Sequence, residues 1–134
     1  MKRVVALDIG EKHIGVAFNR GGSIAFPYGV LEGSKDLEPL LRIVQELRAE
    51  EVVLGWPLRT DGSPGERAKQ IQTLKESIEK VFSGRVILWD ERFSTKEVEK
   101  RLIEAGVRRK KRKGTIDQLA ATLILQTYLD REGR

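Results

Sequence analysis

The apolar residues of this chain change their spacing after about the first thirty positions, and this change constrains the fold more than any other feature. The first thirty residues contain three short apolar, partly β-branched stretches, near Val4–Ile9, Ile14–Phe18 and Ile24–Val30, with glycine-bearing turns between them. Short strands joined by tight turns are typical of an antiparallel meander. The chain is therefore predicted to begin with antiparallel strands.

The rest of the chain alternates between helical and extended patterns. The elements predicted there are helices at about 36–50 and 66–82, strands at Val52–Gly55 and Arg85–Trp89, and two helices opened by capping boxes at Ser94 and Thr115. Strands that alternate with helices lie parallel, through right-handed crossovers. We therefore predict a single α/β domain over residues 1–134, in which helices flank a mixed five-stranded sheet of three antiparallel strands and then parallel strands.

The residue composition limits the chemistry that is available. Cysteine is absent and histidine occurs once, which excludes disulfides, thiolate metal sites and multi-histidine zinc sites. A metal ion would be held by oxygen ligands, which favours Mg²⁺ or Mn²⁺. The sequence lacks the roughly 18 consecutive apolar residues of a membrane span and the pattern of a signal peptide, so we expect a cytoplasmic protein with no membrane attachment.

Six consecutive cations, Arg108 to Lys113, account for the positive charge of the chain. The chain has 25 Lys and Arg against 20 Asp and Glu, and without this run the basic count falls to 19. Such a run attracts a polyanion, although it can also be an ordinary solvated loop. The residues predicted to contact nucleic acid are Arg59, Arg92, Arg108, Arg109, Lys110, Lys111, Arg112 and Lys113.

A Gly- and Pro-rich loop, Gly55–Gly65, directly follows a predicted strand. It could be an ordinary long connection. Long loops at strand ends also carry function, and Arg59 could then contact phosphate while Trp56 stacks on a base or packs underneath. His13 is expected to be a hairpin residue rather than a catalytic base.

Carboxylates end two of the predicted strands. Asp8 closes the first strand, and Asp90 and Glu91 follow the last one. A carboxylate at the end of a buried strand needs a partner, which can be turn amides or a metal ion. Because side chains alternate along a strand, Asp90 and Glu91 should point in opposite directions, and we predict that Glu91 faces the site of Asp8.

Asp117 lies in the first turn of the predicted last helix. Acidic residues favour helix N-termini through the macrodipole, so this position also has a purely structural explanation. The small residues Ala120 and Ala121 would let the helix lie close to the sheet and bring Asp117 to its edge. With Asp8 and Glu91, it would complete a three-carboxylate site suited to two-metal phosphodiester hydrolysis.

Four blocks of sequence occur in a distinctive order. They are Ala6–Gly10 with Ile14–Ala17; Gly55–Pro57 with Asp61, Gly62 and Gly65; Asp90–Thr95; and Asp117–Ala121 leading to Ile124–Gln126 and Tyr128–Leu129. With these blocks the chain resembles, over essentially its whole length, the YqgF/RuvX family of bacterial proteins, described as pre-16S rRNA nucleases and Holliday-junction resolvase homologues. The resemblance implies an RNase H-like fold and a carboxylate site at Asp8, Glu91 and Asp117. The chain departs from the usual family pattern at His13, Trp56 and Phe93.

The leading interpretation is a metal-dependent nuclease that acts on structured RNA in maturation of the 5′ end of 16S rRNA. The main alternative is a resolvase of four-way DNA junctions, which would call for a stable dimer. The sequence has no obvious dimer seam, so we expect a monomer or a weak homodimer. A non-catalytic nucleic-acid-binding module is a further alternative. ATP binding of the actin and sugar-kinase type is disfavoured, because it needs two such domains.

Overall fold

A mixed five-stranded sheet forms the centre of the computed structural model, which describes residues 2–10, 12–32, 37–59, 61–91 and 113–132, with side chains in the last range from Leu119 onwards. The strands are β1 (Val4–Ile9), β2 (His13–Asn19), β3 (Ala25–Glu32), β4 (Glu51–Trp56) and β5 (Arg85–Asp90). Their order across the sheet is β3-β2-β1-β4-β5. β1 to β3 pair antiparallel, whereas β4 and β5 run parallel to β1, which confirms the predicted mixed sheet.

Three helices flank this sheet within the described ranges: α1 (Leu37–Glu46), α2 (Glu66–Glu79) and α3 (Lys113–Glu132). The prediction that a capping box at Thr115 opens the last helix is wrong, because the helix begins at Lys113. The helix predicted after Ser94 lies outside the described residues. In the part of the chain that is described, no helix is both long and apolar enough to cross a membrane.

Helix α1 ends at Glu46 rather than near residue 50 because the backbone reverses there. Arg48 adopts a positive φ of 52°. Its amide donates to the carbonyl of Gln45 at 3.1 Å, and the amide of Ala49 donates to the carbonyl of Val44 at 3.0 Å. These two bonds form a Schellman motif, which satisfies the last carbonyls of the helix and directs the chain into β4.

The alternation of side chains along each strand divides the core into two layers. Val5 and Leu7 of β1 face one side of the sheet, where α1 and α2 pack. Val4 and Ala6 face the other side, where they contact residues of α3. The sheet is therefore covered on both faces, and its carboxyl-terminal edge is where the polar residues at the ends of β1 and β5 meet.

One carboxylate, Glu51, is buried at the start of β4 with an exposed fraction of 4%. It accepts a hydrogen bond from the Tyr128 hydroxyl at 2.9 Å and one from Arg85 at 3.3 Å. Burial raises the pKa of the Tyr128 phenol, with the Glu51 hydrogen bond as the second cause, so the hydroxyl keeps its proton. This group ties the C-terminal helix to the amino-terminal end of the central strands.

Replacing Tyr128 by Phe should therefore lower the free energy of unfolding by about 1–2 kcal/mol, because a buried carboxylate loses a donor. Urea denaturation would measure the change. Tyr28→Phe is a matched control, since Tyr28 also donates to a glutamate, Glu46, but does so on the surface at 3.3 Å. Equal destabilisation by both substitutions would contradict the importance of the buried pair.

Candidate active site

Asp8 and Glu91 belong to the same face of the sheet. Val4 and Ala6 pack toward α3, and Asp8 is the next residue in that alternating series. Trp89 also packs toward α3, and Glu91 is two residues further along. Continued one residue past the end of β5, the alternation puts Glu91 on the Asp8 side. The position of the Glu91 carboxyl agrees, since its Cδ would lie 3.4 Å from a Cβ at Gly55, next to Ile124 of α3.

Burial and the neighbouring charges both act on the Glu91 carboxyl. The pKa of Glu91 is raised from its ordinary value of 4.5 to about 7, first by burial and then by the charges of Asp8 and Asp90. The guanidinium of Arg67 acts in the opposite direction and lowers it. A half-buried carboxyl whose pKa is raised by burial and by a neighbouring carboxylate is typical of a site that binds a cation or handles a proton.

Gly55, near the end of β4, lies next to the Glu91 carboxyl. A Cβ atom at this position would lie 2.6 Å from Cδ1 of Ile124 and 3.4 Å from Cδ of Glu91. The absence of a side chain lets the last helix and the Glu91 carboxyl both approach the end of β4. The glycine of the Gly55-Trp56-Pro57 block thus has a packing reason that is independent of any turn.

Arg67, in the first turns of α2, was not predicted from the sequence to belong to this site. Its guanidinium donates a hydrogen bond to the carbonyl of Ile9, the residue after Asp8. A cation near a helix N-terminus opposes the macrodipole, and that unfavourable placement is the signal that could have drawn attention to it. Arg67 thus connects α2 to the end of β1.

The turn after β1 is equally constrained. The amide of Gly10 donates to the carbonyl of His13 at 2.9 Å, and a Cβ on Gly10 would lie 2.6 Å from that same oxygen. His13 begins β2 and contributes its backbone here, as expected for a hairpin residue. The end of β1 that carries Asp8 is therefore fixed by this turn and by Arg67.

We predict that Gly10→Ala lowers the free energy of unfolding by about 1–3 kcal/mol, because the new methyl group must push the turn apart. Gly29→Ala serves as control, since a Cβ at Gly29 would meet nothing within 4 Å. Denaturant titration of both variants measures the difference. If Gly10→Ala were as stable as Gly29→Ala, the close approach to His13 would have no energetic weight.

Residues 2–131 match the family model described as RuvX, Holliday junction resolvase. The chain belongs to the RuvX family. A member from Syntrophomonas wolfei, named "Putative pre-16S rRNA nuclease", is 41% identical over 132 residues, covering 96% of this chain and 94% of the relative. A protein of the same name from Halothermothrix orenii is 40% identical, covering 98% and 97%.

The fold is also that of a solved RNase H-like protein. RuvC of Thermus thermophilus, in a complex with a Holliday junction substrate, superimposes with a TM-score of 0.64 at 15% identity, covering 99% of this chain and 97% of that one. A second structure of the Thermus protein gives a TM-score of 0.61 at 16% identity. The predicted RNase H-like architecture and the resemblance to the RuvX family are both confirmed.

The third carboxylate predicted for this RuvX-family site is Asp117. It lies in α3, and its side chain is outside the described residues. Among the side chains that are described, no three acidic, histidine or cysteine residues lie close enough to hold a metal ion. The structure therefore brings together Asp8 and Glu91, and a role for Asp117 stays a prediction.

The predicted nucleic-acid contacts are only partly described. Arg92 and residues 108–112 lie outside the described residues, and Lys113 is the first residue of α3. Arg59 is exposed in the loop before α2, where its backbone amide donates to the carbonyl of Ser63 at 3.0 Å. Its guanidinium is next to Gly65, whose Cβ would lie 3.3 Å from Nε of Arg59.

Trp56 follows the packing alternative that the sequence left open. The indole Nε1 donates to the carbonyl of Ala68 in α2 at 2.9 Å, and the ring packs on the core beneath α1 and α2. The side chain thereby joins the end of β4 to the start of α2.

Proposed function

We propose that this chain is a metal-dependent nuclease that hydrolyses phosphodiester bonds in maturation of the 5′ end of pre-16S rRNA. The observation that supports this most is the pairing of Asp8 and Glu91 at the edge of an RNase H-like sheet. The choice of pre-16S rRNA as the substrate is taken from the names of the relatives at about 40% identity. Asp8, Glu91 and Asp117 are the proposed catalytic residues and metal ligands.

The chemistry of the donor set fits a hard divalent cation. The described donors at the site are carboxylate oxygens, and oxygen ligands are preferred by Mg²⁺ and Mn²⁺. Burial, and then the charge of Asp8, raise the pKa of Glu91, and a cation placed between the two carboxylates would offset their repulsion. The two carboxylates repel each other when no cation is present, and a cation would relieve this repulsion. Such a pair fits a metal site.

The position of Asp117 supports it as the third ligand. It precedes Ile124 by seven residues in α3, which is about two helical turns, so both residues occupy the same side of the helix. Cδ1 of Ile124 is the atom that a Cβ on Gly55 would strike, next to Glu91. This helical spacing is the reason for proposing Asp117 as the third ligand.

The protein groups would divide the work of hydrolysis. When bound, the metal would activate a water molecule and stabilise charge on the phosphate. The three carboxylates would hold it, and Arg67 would keep the end of β1 in place through the carbonyl of Ile9. Phosphates further along the strand would be bound by Arg59, Arg92 and the cationic run Arg108 to Lys113.

A four-way DNA junction is the second candidate substrate. It is favoured by the description of the family model and by the substrate in the Thermus RuvC complex. Resolution of a junction requires two coordinated cuts and hence a stable dimer, whereas we propose a monomer or a weak homodimer. The choice of substrate is open to direct measurement.

The test is cleavage of labelled pre-16S RNA and of a synthetic four-way DNA junction by the purified chain, with Mg²⁺, with Mn²⁺ and with EDTA. Metal-dependent cleavage of the RNA at its 5′ end supports the proposal. If only the junction is cleaved, and symmetrically, the proposed substrate becomes four-way DNA instead of RNA. Binding of either substrate without cleavage under all conditions would contradict nuclease activity of the isolated chain.

The raised pKa of Glu91 predicts opposite pH dependences for stability and for metal binding. The folded-state pKa of about 7 exceeds the ordinary 4.5, so this group contributes stability that is complete below pH 4.5 and lost as the pH rises through 7. Allowing for solvent screening, we expect a loss of about 1–2 kcal/mol in the metal-free protein. Thermal denaturation in EDTA from pH 5 to 8 measures it.

Over the same range, affinity for Mg²⁺ should rise with pH and level off above about pH 7, because binding requires the ionised carboxylate. Calorimetric titration measures the affinity. Glu91→Gln is the control, since it should remove most of both pH dependences. Retention of the wild-type stability profile in Glu91→Gln would assign the effect to another group.

A further inference from the structure

An apolar groove with a volume of about 620 Å³ lies between α1 and α2, on the face of the sheet opposite the Asp8 and Glu91 side chains. Its walls are formed by Ile9, Ile14, Leu37, Leu40, Ile71 and Leu74. The volume is within the range of about 300–1,000 Å³ that is usual for small-ligand sites. The groove is large enough for one nucleotide and has apolar surfaces that suit a planar ring.

Among the described residues, the polar side chains that line this interhelical groove come from one side of α2. Gln70, Thr73 and Ser77 lie at intervals of three and four residues, and Gln70 and Thr73 are exposed where the groove opens to solvent. The hydroxyls of Thr73 and Ser77 each donate to a carbonyl in the preceding turn at 3.2 Å. Their oxygens can still accept hydrogen bonds, and the Gln70 amide can both donate and accept.

The groove and the carboxylate site meet at the same edge of the sheet. Ile9 and Gly10 line the groove and directly follow Asp8. Arg67 also lines the groove, and its guanidinium donates to the Ile9 carbonyl while acting electrostatically on Glu91. If a nucleic-acid strand placed a phosphate at the carboxylates, it would therefore pass Arg67 before its next base reached the groove.

We propose that the interhelical groove binds one unpaired base of the nucleic-acid substrate next to the scissile phosphate, and that Arg67 contacts the phosphate between them. This inference rests on the proposed function. Apolar walls accept the faces of a base, and the polar side of α2 can bind its edge. RNA-binding proteins commonly recognise bases that are splayed out of a helix, because paired bases present no free face.

The chemistry of the groove favours a base over an apolar peptide or a second copy of this chain. A purely apolar occupant would bury Arg67 and Gln70 without new partners, at an energetic cost. A nucleotide supplies a phosphate for the guanidinium, a planar ring for the aliphatic walls and acceptors for the amide. The phosphate, the ring and the polar edge of a nucleotide thus each have a matching group in the groove.

The first test compares two probes by ¹H–¹⁵N NMR of the full chain, adenosine 5′-monophosphate and ribose 5-phosphate. We expect the nucleotide to shift the amides of Gln70, Thr73 and Leu74 at millimolar concentration, and the base-free probe to leave Thr73 and Leu74 unchanged. Identical effects of the two probes would overturn the proposal. Shifts of these amides with protein concentration alone would also overturn it, in favour of a second copy.

The second test obstructs the groove without touching the proposed catalytic residues. Thr73→Trp places a bulky side chain at the groove opening, and Gln72→Trp is its matched control, exposed on the same helix but outside the groove. Stacking of one base changes nucleic-acid affinity by about tenfold or more. We therefore expect Thr73→Trp to weaken binding of a single-stranded RNA about tenfold relative to Gln72→Trp.

An RNA in which every base is removed from the sugar-phosphate backbone should bind the two Trp variants equally, because it has nothing to place in the groove. Equal affinity of the variants for the intact RNA would overturn the proposal. These measurements are of binding in EDTA, so they are independent of cleavage. If the two variants bind intact RNA equally while the wild type cleaves its substrate, only the groove proposal is contradicted. If the variants differ in binding but the wild type cleaves nothing, only the nuclease proposal is contradicted.

Discussion

Asp8→Asn is expected to reduce the rate of cleavage by about 10³-fold, equivalent to about 4 kcal/mol of transition-state stabilisation, while the folded protein becomes no less stable. The amide has almost the shape of the carboxylate but lacks its charge, so it would bind a divalent cation poorly. Removing the charge also relieves the repulsion that raises the pKa of Glu91. Activity and metal-free stability should therefore change in opposite directions.

Glu91→Gln should give the same combination, and Asp90→Asn is its matched control. Asp90 is adjacent in sequence but belongs to the opposite face of the sheet, so its substitution should change the rate only a few-fold. Single-turnover cleavage measures the rates, and thermal denaturation in EDTA measures the stabilities. A wild-type rate in Asp8→Asn, or a greater loss in Asp90→Asn than in Glu91→Gln, would remove the proposed ligands from the chemistry.

The second large effect is expected from replacing the six cations of Arg108 to Lys113 by glutamine. A protein that neutralises several phosphates releases their counterions, and its affinity then depends steeply on salt. Loss of up to six contacts should reduce the slope of log affinity against log salt by about 4–5 and weaken binding at low salt by about 10³-fold. Fluorescence anisotropy with labelled RNA over a salt series measures both quantities.

Replacing Arg42, Arg48 and Lys80 by glutamine controls for a general loss of positive charge. These residues lie toward the C-terminal ends of α1 and α2, whereas Arg67 and the candidate site lie at the N-terminal end of α2. Their substitution should leave the salt slope unchanged. If these three substitutions reduced the slope by half as much as the six, binding would depend on net charge and the cationic run would have no special role.

The sheet and the pairing of Asp8 with Glu91 could be predicted because both depend on local periodicity. Alternation along a strand determines which face a residue occupies, and parallel strands bring their ends to one edge. The reasoning needed no knowledge of how the helices pack. It also predicted opposite faces for Asp90 and Glu91, and the two residues before them, Leu88 and Trp89, do pack on different sides of the sheet.

Arg67 and the groove could not be predicted because they depend on the distance between packed elements. Which helical side chain reaches the Ile9 carbonyl is decided by the length and course of the Gly55–Gly65 loop. The early end of α1 has a similar origin, since Arg48 occupies a left-handed position that is usually filled by glycine. Trp56 could be identified as a candidate, but only its bond to Ala68 distinguishes packing from base stacking.

The missing side chain at Gly55 has a consequence for how this family can diverge. A Cβ at this position would overlap Cδ1 of Ile124 at 2.6 Å, while it would make only ordinary contact with Glu91 at 3.4 Å. A side chain at position 55 would therefore fit only if a shorter residue replaced Ile124. Substitutions at positions 55 and 124 are thus expected to arise as compensating pairs, in lineages whose last helix lies at a different height above the sheet.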